Sequence, residues 1–374
     1  MKIDPYNHER RYRNWKESVK EGNYDLNKEN FDIIFKYIED MEHGLNVSMK
    51  SVKGGRGYAR LNTLKEKMYF FARQFKEMYN LDCITQISEE QIILFFSKMR
   101  RGEIKRRDGR SYRSIDYFTK VFKAFWHWHQ TVNRKKGIAV VDITIDLDTR
   151  GEKPKWVYLT EEQIKQLCEN ASPKYKALFL FLYDSGIRSP TELINIKVSD
   201  LYNGCKELMI RDEISKTFGR RIKLMICCEL IEAYIKYNNL SPKDYLFKIK
   251  PSTVNVYLKR LSKRLFGDKE SPAGQKYSEM TMYDFRHCSC CYWLPRYKSE
   301  SALKYRFGWK KSDKIHYYSE LLGMKDTISE EDLLLDTTKT ELEQRLEKTE
   351  RENQILKERL KIIELKINNI TLRI

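Results

Sequence analysis

The chain has 374 residues, enough for two domains and an appendage. It carries 71 lysines and arginines against 53 aspartates and glutamates, a formal net charge of +18. Residues 327–374 hold slightly more acidic than basic side chains, so the excess lies in the first 326 residues. Such a surplus predicts affinity for a polyanion, and the lack of an apolar run of about 18 residues argues against a membrane partner.

The eight cysteines and six histidines do not form a metal-binding pattern. Cys288-Ser-Cys290-Cys291 is too tightly spaced for half of a zinc site, and no matching Cys-x-x-Cys pair exists. The first residues, Met1 to Pro5, lack the apolar segment of a signal peptide. We therefore expect reduced, buried cysteines in a cytoplasmic protein, with no metal and no cofactor.

Residues 1–27 are polar and predict an arm, or a short helix that docks on another part of the molecule. Beyond them, apolar residues recur at three- and four-residue spacing from Glu29, over 61–79, over 89–99 and over 112–130. These four predicted helices indicate a small all-α bundle over 28–135.

Two basic segments interrupt this bundle. One is a glycine-rich loop near residues 48–60, and in the other, residues 98–113, eight of sixteen residues are cationic. A basic run is usually just a solvated loop, but two runs in one small domain favour phosphate contacts. The predicted DNA-binding residues are Lys50, Lys53, Arg56, Arg60, Arg100, Arg101, Lys105, Arg106, Arg107, Arg110 and Arg113.

Residues 136–158 lose the helical period and indicate a linker. A second domain, 159–326, begins with a capping box in which Thr160 is the N-cap and Gln163 the third helical residue. Further along, two β-rich runs flank Gly219 and predict a β-hairpin over 207–226.

Several motifs of the second domain resemble those of one known family. They are the opening at Leu159, the segment Gly186-Ile-Arg-Ser-Pro-Thr-Glu-Leu193, the box Thr281-Met-Tyr-Asp-Phe-Arg-His287, the dipeptide Gly308-Trp309 and the segment His316-Tyr-Tyr318. In this order they resemble the catalytic domain of the tyrosine recombinases, or integrases, including those of archaeal or viral mobile elements. The resemblance implies a mainly α fold: a helical core-binding bundle, then a mixed α+β catalytic domain with a small antiparallel sheet.

The family assigns a role to each matching residue. Arg188 and Arg286 would clamp the scissile phosphate, which needs permanently charged, bidentate donors; an Arg188 that merely pairs with Asp184 or Glu192 is the alternative. Lys216 would be the general acid that protonates the leaving 5′-oxygen, with Lys223 as a competitor.

Tyr283 stands where the family usually has histidine, and a phenol is a poor base near neutral pH, so the general base stays open between Tyr283 and His287. Trp309 would orient its neighbours, because an indole N–H only donates. Tyr318 would be the nucleophile, with the adjacent Tyr317 as the alternative. The 3′-phosphotyrosine that results preserves the bond energy, so neither ATP nor a metal is required.

Residues 327–374 follow a heptad pattern, which predicts a coiled coil. Asn353 at a core position favours a parallel dimer. One core position holds Leu335, Leu342, Thr349, Leu356, Ile363 and Ile370, and the other holds Leu346, Asn353, Leu360, Ile367 and Ile374.

The sequence thus predicts a site-specific recombinase, an integrase of a mobile element or virus. It would act as a tetramer on attachment-type sites in double-stranded DNA, associated with the nucleoid or, for a virus, inside the host cell. A noncatalytic DNA-binding or architectural protein that inherited the fold is the main alternative, and a topoisomerase using the same residues is a further one.

Overall fold

The computed structural model describes residues 2–22, 26–48, 51–151, 153–297 and 299–322, with scattered helical positions between 346 and 360. Lys50 and most of the predicted coiled coil, 327–374, lie outside the described residues. The chain divides into two compact units. The first comprises residues 1–289 with Arg306–Gly308, and the second comprises Cys290–Tyr305 and continues from Trp309. Among the described residues, no helix has the length and apolarity to span a membrane.

A helical bundle forms the N-terminal part of the first unit, as predicted. Its core is aromatic: Phe71, Phe75, Phe95 and Phe122 are buried and meet edge to face, at ring centroid distances such as 5.3 Å for Phe71–Phe122. Such pairs add about 0.5–1.5 kcal/mol each to the free energy gained by burial. The helices are α1 (His8–Lys20), α2 (Lys28–His43), α3 (Tyr58–Tyr79), α4 (Glu89–Arg101) and α5 (Ile115–Arg134).

Helix α1 belongs to this core. The side chain of Tyr12 is buried, and its hydroxyl donates to Glu42 Oε2 at 2.9 Å. The sequence predicted either an arm or a short docking helix for residues 1–27. The structure has the helix, and it docks on the bundle. Ahead of it, Ile3 N donates to Asn195 Oδ1 at 2.6 Å, and Asn195 Nδ2 donates back to Ile3 O at 2.9 Å.

The remaining elements combine helices with a small sheet. Thr160 and Gln163 form both hydrogen bonds of the predicted capping box at the start of the first helix. Within the described residues, the chain is mainly α with a small antiparallel sheet, as expected. The elements are α6 (Glu161–Glu169), α7 (Pro173–Ser185), β1 (Leu201–Tyr202), β2 (Glu207–Ile210), β3 (Arg220–Lys223), α8 (Cys228–Tyr237), α9 (Pro251–Phe266), α10 (Asp284–Trp293), α11 (Glu300–Phe307) and α12 (Asp313–Leu322).

The sheet has the strand order β1-β2-β3, with both pairs antiparallel. In the second pair Ile210 lies opposite Arg220 and Glu207 lies opposite Lys223. Side chains alternate between the faces of a strand, so Arg220 points inward with the buried Ile222. The loop 211–219 that joins β2 to β3 carries Lys216.

Candidate phosphate site and tyrosine site

Arg188 follows the end of α7. The helix terminates at Gly186, whose φ of 60° is the left-handed conformation that favours glycine. Arg188 Nη1 donates to Glu192 Oε1 at 2.7 Å, and its Nη2 donates to the carbonyl oxygen of Gly308 at 2.8 Å. The ion pair that the sequence offered as an alternative role is thus present, but it leaves the Arg188 side chain 13% exposed.

Arg286 lies in the first turn of α10, and its side chain is buried. Its Nη1 donates to Gly186 O at 2.6 Å, and its Nη2 donates to Phe307 O. Burial, together with the like charge of Arg188, lowers the pKa of Arg286 to about 10, so it remains cationic at neutral pH. The two arginines therefore bind adjacent carbonyl groups of one turn, Phe307–Gly308.

Glu192 is the carboxylate that pairs with Arg188. It is fully buried and pairs with a second arginine, Arg220, whose Nη2 lies 2.8 Å from Oε2. Burial alone would raise the pKa of Glu192, but the Arg220 and Arg188 donors lower it to about 2. Two guanidinium groups, those of Arg188 and Arg220, share this one carboxylate and leave a surplus of one positive charge. Such an arrangement suits a phosphodiester, whose negative charge grows in the transition state.

Gly308 sits where these groups meet. Its φ is 60°, and a Cβ atom there would lie 3.0 Å from Arg220 Nη1 and 3.2 Å from Thr217 Oγ1. Both the backbone conformation and the available space therefore require glycine. The sequence assigned significance to this glycine only through its place before Trp309.

Lys216 lies in the β2–β3 loop with its side chain exposed. The next residue tethers the loop to the arginine turn, because Thr217 Oγ1 donates to Gly308 O at 2.9 Å. Gly219 N closes the loop by donating to Asp212 Oδ1 at 2.6 Å. Lys223, the competing lysine, is exposed on β3 in register with Glu207. The anchored loop favours Lys216 as the lysine delivered to a phosphate.

Tyr283 is 40% exposed and meets the ring of His287 edge on, at a centroid distance of 5.2 Å. His287 in turn stacks on Trp156 at 4.8 Å. Between them, Asp284 is buried and accepts hydrogen bonds from Val157 N and Thr281, and burial raises its pKa. Tyr283 is thus accessible to a ligand, and His287 is held by aromatic packing.

The second unit contains the candidate nucleophile. Trp309 and Tyr318 stack nearly parallel, with ring centroids 5.9 Å apart and planes 7° apart, and both side chains are buried. Tyr317 touches Tyr318 edge on at 5.3 Å. The ring of Trp309 thus lies against Tyr318, and the orienting role of Trp309 stays a prediction.

The basic segment 98–113 forms a tight hairpin at its centre. Lys105 bridges Ser111, and Arg106 N donates to Arg110 O at 2.9 Å. The turn exposes the candidate side chains of Lys105, Arg106, Arg107, Arg110 and Arg113. An open groove of about 820 Å³ adjoins it, lined among others by Arg73, Lys98 and Tyr112.

The other described candidates bind parts of the protein. Arg60 donates to the Tyr117 hydroxyl at 2.6 Å, and Arg100 Nη2 donates to Asp148 O at 2.9 Å. Arg101 lies 3.6 Å from Glu103, while Lys53 and Arg56 donate to carbonyl groups of their own loop. These contacts hold the loops in shape. Arg106 of the hairpin also pairs with Asp108 at 3.2 Å, but the hairpin is the stronger candidate for binding phosphates because it presents five exposed cationic side chains together.

The sequence did not single out the exposed basic face of α9. Lys259, Arg260, Lys263 and Arg264 are exposed there, and none forms an ion pair with the described residues. Asn255 of the same helix accepts a hydrogen bond from Met282 N at 3.0 Å, which places α9 beside the segment leading to Arg286. Helical spacing of these basic residues was the signal that could have identified this face.

No group of three or more histidine, cysteine, aspartate or glutamate side chains is placed to hold a metal within the described residues. Neither a family model nor a curated protein matches the sequence.

Solved structures do match. The Tn1549 transposon integrase, residues 82–397, in complex with circular intermediate DNA is 15% identical, with a TM-score of 0.54 over 79% of this chain and 99% of that chain. A lambda integrase dimer bound to a COC′ core site is 14% identical, with a TM-score of 0.55 over 79% of this chain and 78% of that chain. At this identity the likeness concerns the fold, and the chain has the tyrosine-recombinase fold that its motifs predict.

Proposed function

We propose that this chain is a site-specific DNA recombinase that cuts and rejoins DNA through a covalent 3′-phosphotyrosine. One observation carries the proposal: Arg188 and Arg220 share the carboxylate of Glu192 and leave one positive charge in excess beside Arg286. A buried ion-pair network that served only stability would be expected to balance its charges, because an unpaired buried charge is costly. A phosphate bound at this site would supply the missing negative charge.

The proposed reaction moves a phosphoryl group without water. The Tyr318 oxygen attacks the phosphorus held by Arg188 and Arg286, forming a P–O bond as the bond to the 5′-oxygen breaks. Lys216 gives its proton to that oxygen. The 5′-hydroxyl of a second strand then attacks the phosphotyrosine and releases Tyr318. The number of phosphoester bonds is unchanged, so the chemistry calls for no ATP.

The base that takes the phenol proton of Tyr318 is Tyr283 or His287. A neutral imidazole nitrogen can accept a proton, and stacking on Trp156 holds the His287 ring in place. Tyr283 is the more exposed of the two and suits a hydrogen bond to the phosphate. A cleavage rate that falls far more in His287→Asn than in Tyr283→Phe, with DNA binding unchanged in both variants, would identify the histidine.

Double-stranded DNA is the proposed substrate, recognised at attachment-type sites. The exposed hairpin with Arg106 and Arg107, and the basic face of α9, supply phosphate contacts on the surface. Recombination joins two duplexes, so we propose a tetramer that pairs through the C-terminal heptads. A lambda integrase tetramer bound to a Holliday junction has a TM-score of 0.51 to this chain at 14% identity, covering 76% of this chain and 80% of that one.

Covalent trapping tests the proposal. DNA bound by the protein is selected from random sequence, and a nick is placed just 3′ of each candidate cleavage position. The short fragment that carries the released 5′-hydroxyl then diffuses away and cannot reverse the reaction. The intact protein should then accumulate as an adduct that survives denaturation. Tyr318→Phe should form none, whereas Tyr317→Phe, the matched control, should form the adduct. An adduct in Tyr318→Phe would assign the nucleophile elsewhere.

A noncatalytic DNA-binding protein is the second candidate, favoured by Tyr283 at the place of the family's histidine. It predicts salt-dependent DNA binding with no adduct on any nicked substrate.

A further inference from the structure

Arg220 connects the elements that build the phosphate site. Its side chain is wholly buried on the inner face of β3. Nε donates to Arg306 O at 2.9 Å, and the two terminal nitrogens donate to Glu192 at 3.1 and 2.8 Å. One guanidinium group on the strand that follows the Lys216 loop thus binds the carboxylate beside Arg188 and the residue that precedes the Phe307–Gly308 turn.

Each oxygen of Glu192 receives one donor from each arginine. Oε1 accepts from Arg188 Nη1 at 2.7 Å and from Arg220 Nη1 at 3.1 Å. Oε2 accepts from Arg188 N at 2.8 Å and from Arg220 Nη2 at 2.8 Å. A carboxylate with one guanidinium makes a neutral pair, but with two it leaves one positive charge uncompensated. Arg220 has no exposure and Arg188 has 13%, so a ligand meets that charge at Arg188.

We propose that Arg220 is a positioning residue that neutralises Glu192 and thereby keeps the charge of Arg188 available to the phosphate. The identity of that phosphate as DNA rests on the proposed function. Without Arg220, Glu192 pairs with Arg188 alone and the charge presented to the ligand is lost. With neither Arg220 nor a charged Glu192, Arg188 is again uncompensated.

The distinguishing experiment removes these charges in turn. Arg220→Met should weaken the binding of inorganic phosphate at least about tenfold, followed through the arginine Nε–Hε resonances by NMR. Adding Glu192→Gln to that variant should restore the affinity to within about threefold of wild type. A role limited to holding the fold predicts no recovery, since the double variant lacks the same contacts and one more. The cleavage rate of nicked DNA should follow the same order, falling about 100-fold and then recovering.

Arg221→Met is the matched control, because Arg221 is the next residue on β3, is exposed, and pairs with Glu207 on the outer face. It should leave phosphate binding unchanged. If Arg220→Met does not fold, as judged by circular dichroism, Arg220→Lys and the double variant remain informative. The lysine keeps the charge and should bind phosphate nearly as wild type does.

The two proposals fail separately. Phosphate binding that follows the predicted order without any covalent adduct would refute the recombinase and support the role of Arg220. An adduct in wild type together with no recovery in the double variant would support the recombinase and refute the role of Arg220.

Discussion

Replacing Gly308 by alanine should destabilise the protein through both backbone strain and overpacking. The left-handed conformation at φ 60° costs a residue with a side chain about 1–2 kcal/mol. The added Cβ would also lie 3.0 Å from Arg220 Nη1, 3.1 Å from Arg220 Cζ and 3.2 Å from Thr217 Oγ1. Arg220 is held by Glu192 and cannot retreat freely, so overpacking adds about 1–3 kcal/mol. The free energy of unfolding should fall by about 2–5 kcal/mol.

Gly204 provides the control. It has the same φ of 60°, and a Cβ there would have no heavy atom within 4 Å. Gly204→Ala should therefore lose only the conformational part, about 1–2 kcal/mol. Urea unfolding of both variants measures the two losses, and nicked-DNA cleavage should fall in Gly308→Ala alone. Equal destabilisation by the two substitutions would show that the turn at Gly308 has room to spare, and the packing described for Arg220 would be wrong.

Three other predictions concern Glu192, the two candidate lysines and the basic hairpin. Glu192 has a pKa of about 2, below its ordinary value of 4.5. Its ion pairs therefore stabilise the fold fully above pH 4.5, and this contribution to the free energy of unfolding is lost as the pH falls towards 2. It amounts to about 3 kcal/mol, and denaturant unfolding of Glu192→Gln should depend less on pH over that range. Lys216→Ala should slow the cleavage of normal DNA about 100-fold or more. It should not slow the cleavage of DNA whose leaving 5′-oxygen is replaced by sulfur, because a sulfur leaving group needs no proton. Lys223→Ala should leave both cleavage rates unchanged, and the reverse result would exchange the roles of the two lysines. Arg106→Ala with Arg107→Ala should lower the slope of log affinity against log salt by about 2, measured by fluorescence anisotropy, and an unchanged slope would exclude the hairpin from phosphate contact.

The local patterns in the sequence were sufficient for much of the fold. Apolar residues at helical spacing marked the bundle, since burying one face of a helix requires that period. The capping box at Thr160 and Gln163 marked the start of α6, because its hydrogen bonds join residues only three apart. Helix α1 was harder to place, because Tyr12 alone is buried in a helix that is otherwise polar.

The residues of the candidate site also differ in whether the sequence could identify them. Arg188 and Arg286 were identified from motifs, and Glu192 was one of the two carboxylates, with Asp184, offered as a partner for Arg188. Arg220 was overlooked, although the alternation of β3 pairs it with Ile222 on the inner face. The sequence does not show which of the adjacent Arg220 and Arg221 is buried, because the register of β3 depends on its partner strand.

The sequence by itself determined the residue types available for phosphate chemistry, their order, and the helices and hairpin that carry them. These depend on interactions between residues close along the chain. Tertiary structure alone decided that Arg188 and Arg220 share Glu192, that Gly308 binds Arg188 and Thr217, and that Trp309 stacks on Tyr318. The contacts of Arg220 with Glu192 and of Gly308 with Arg188 and Thr217 join residues far apart along the chain. The surplus charge therefore appears only after folding has brought Arg220 to the carboxylate that Arg188 contacts.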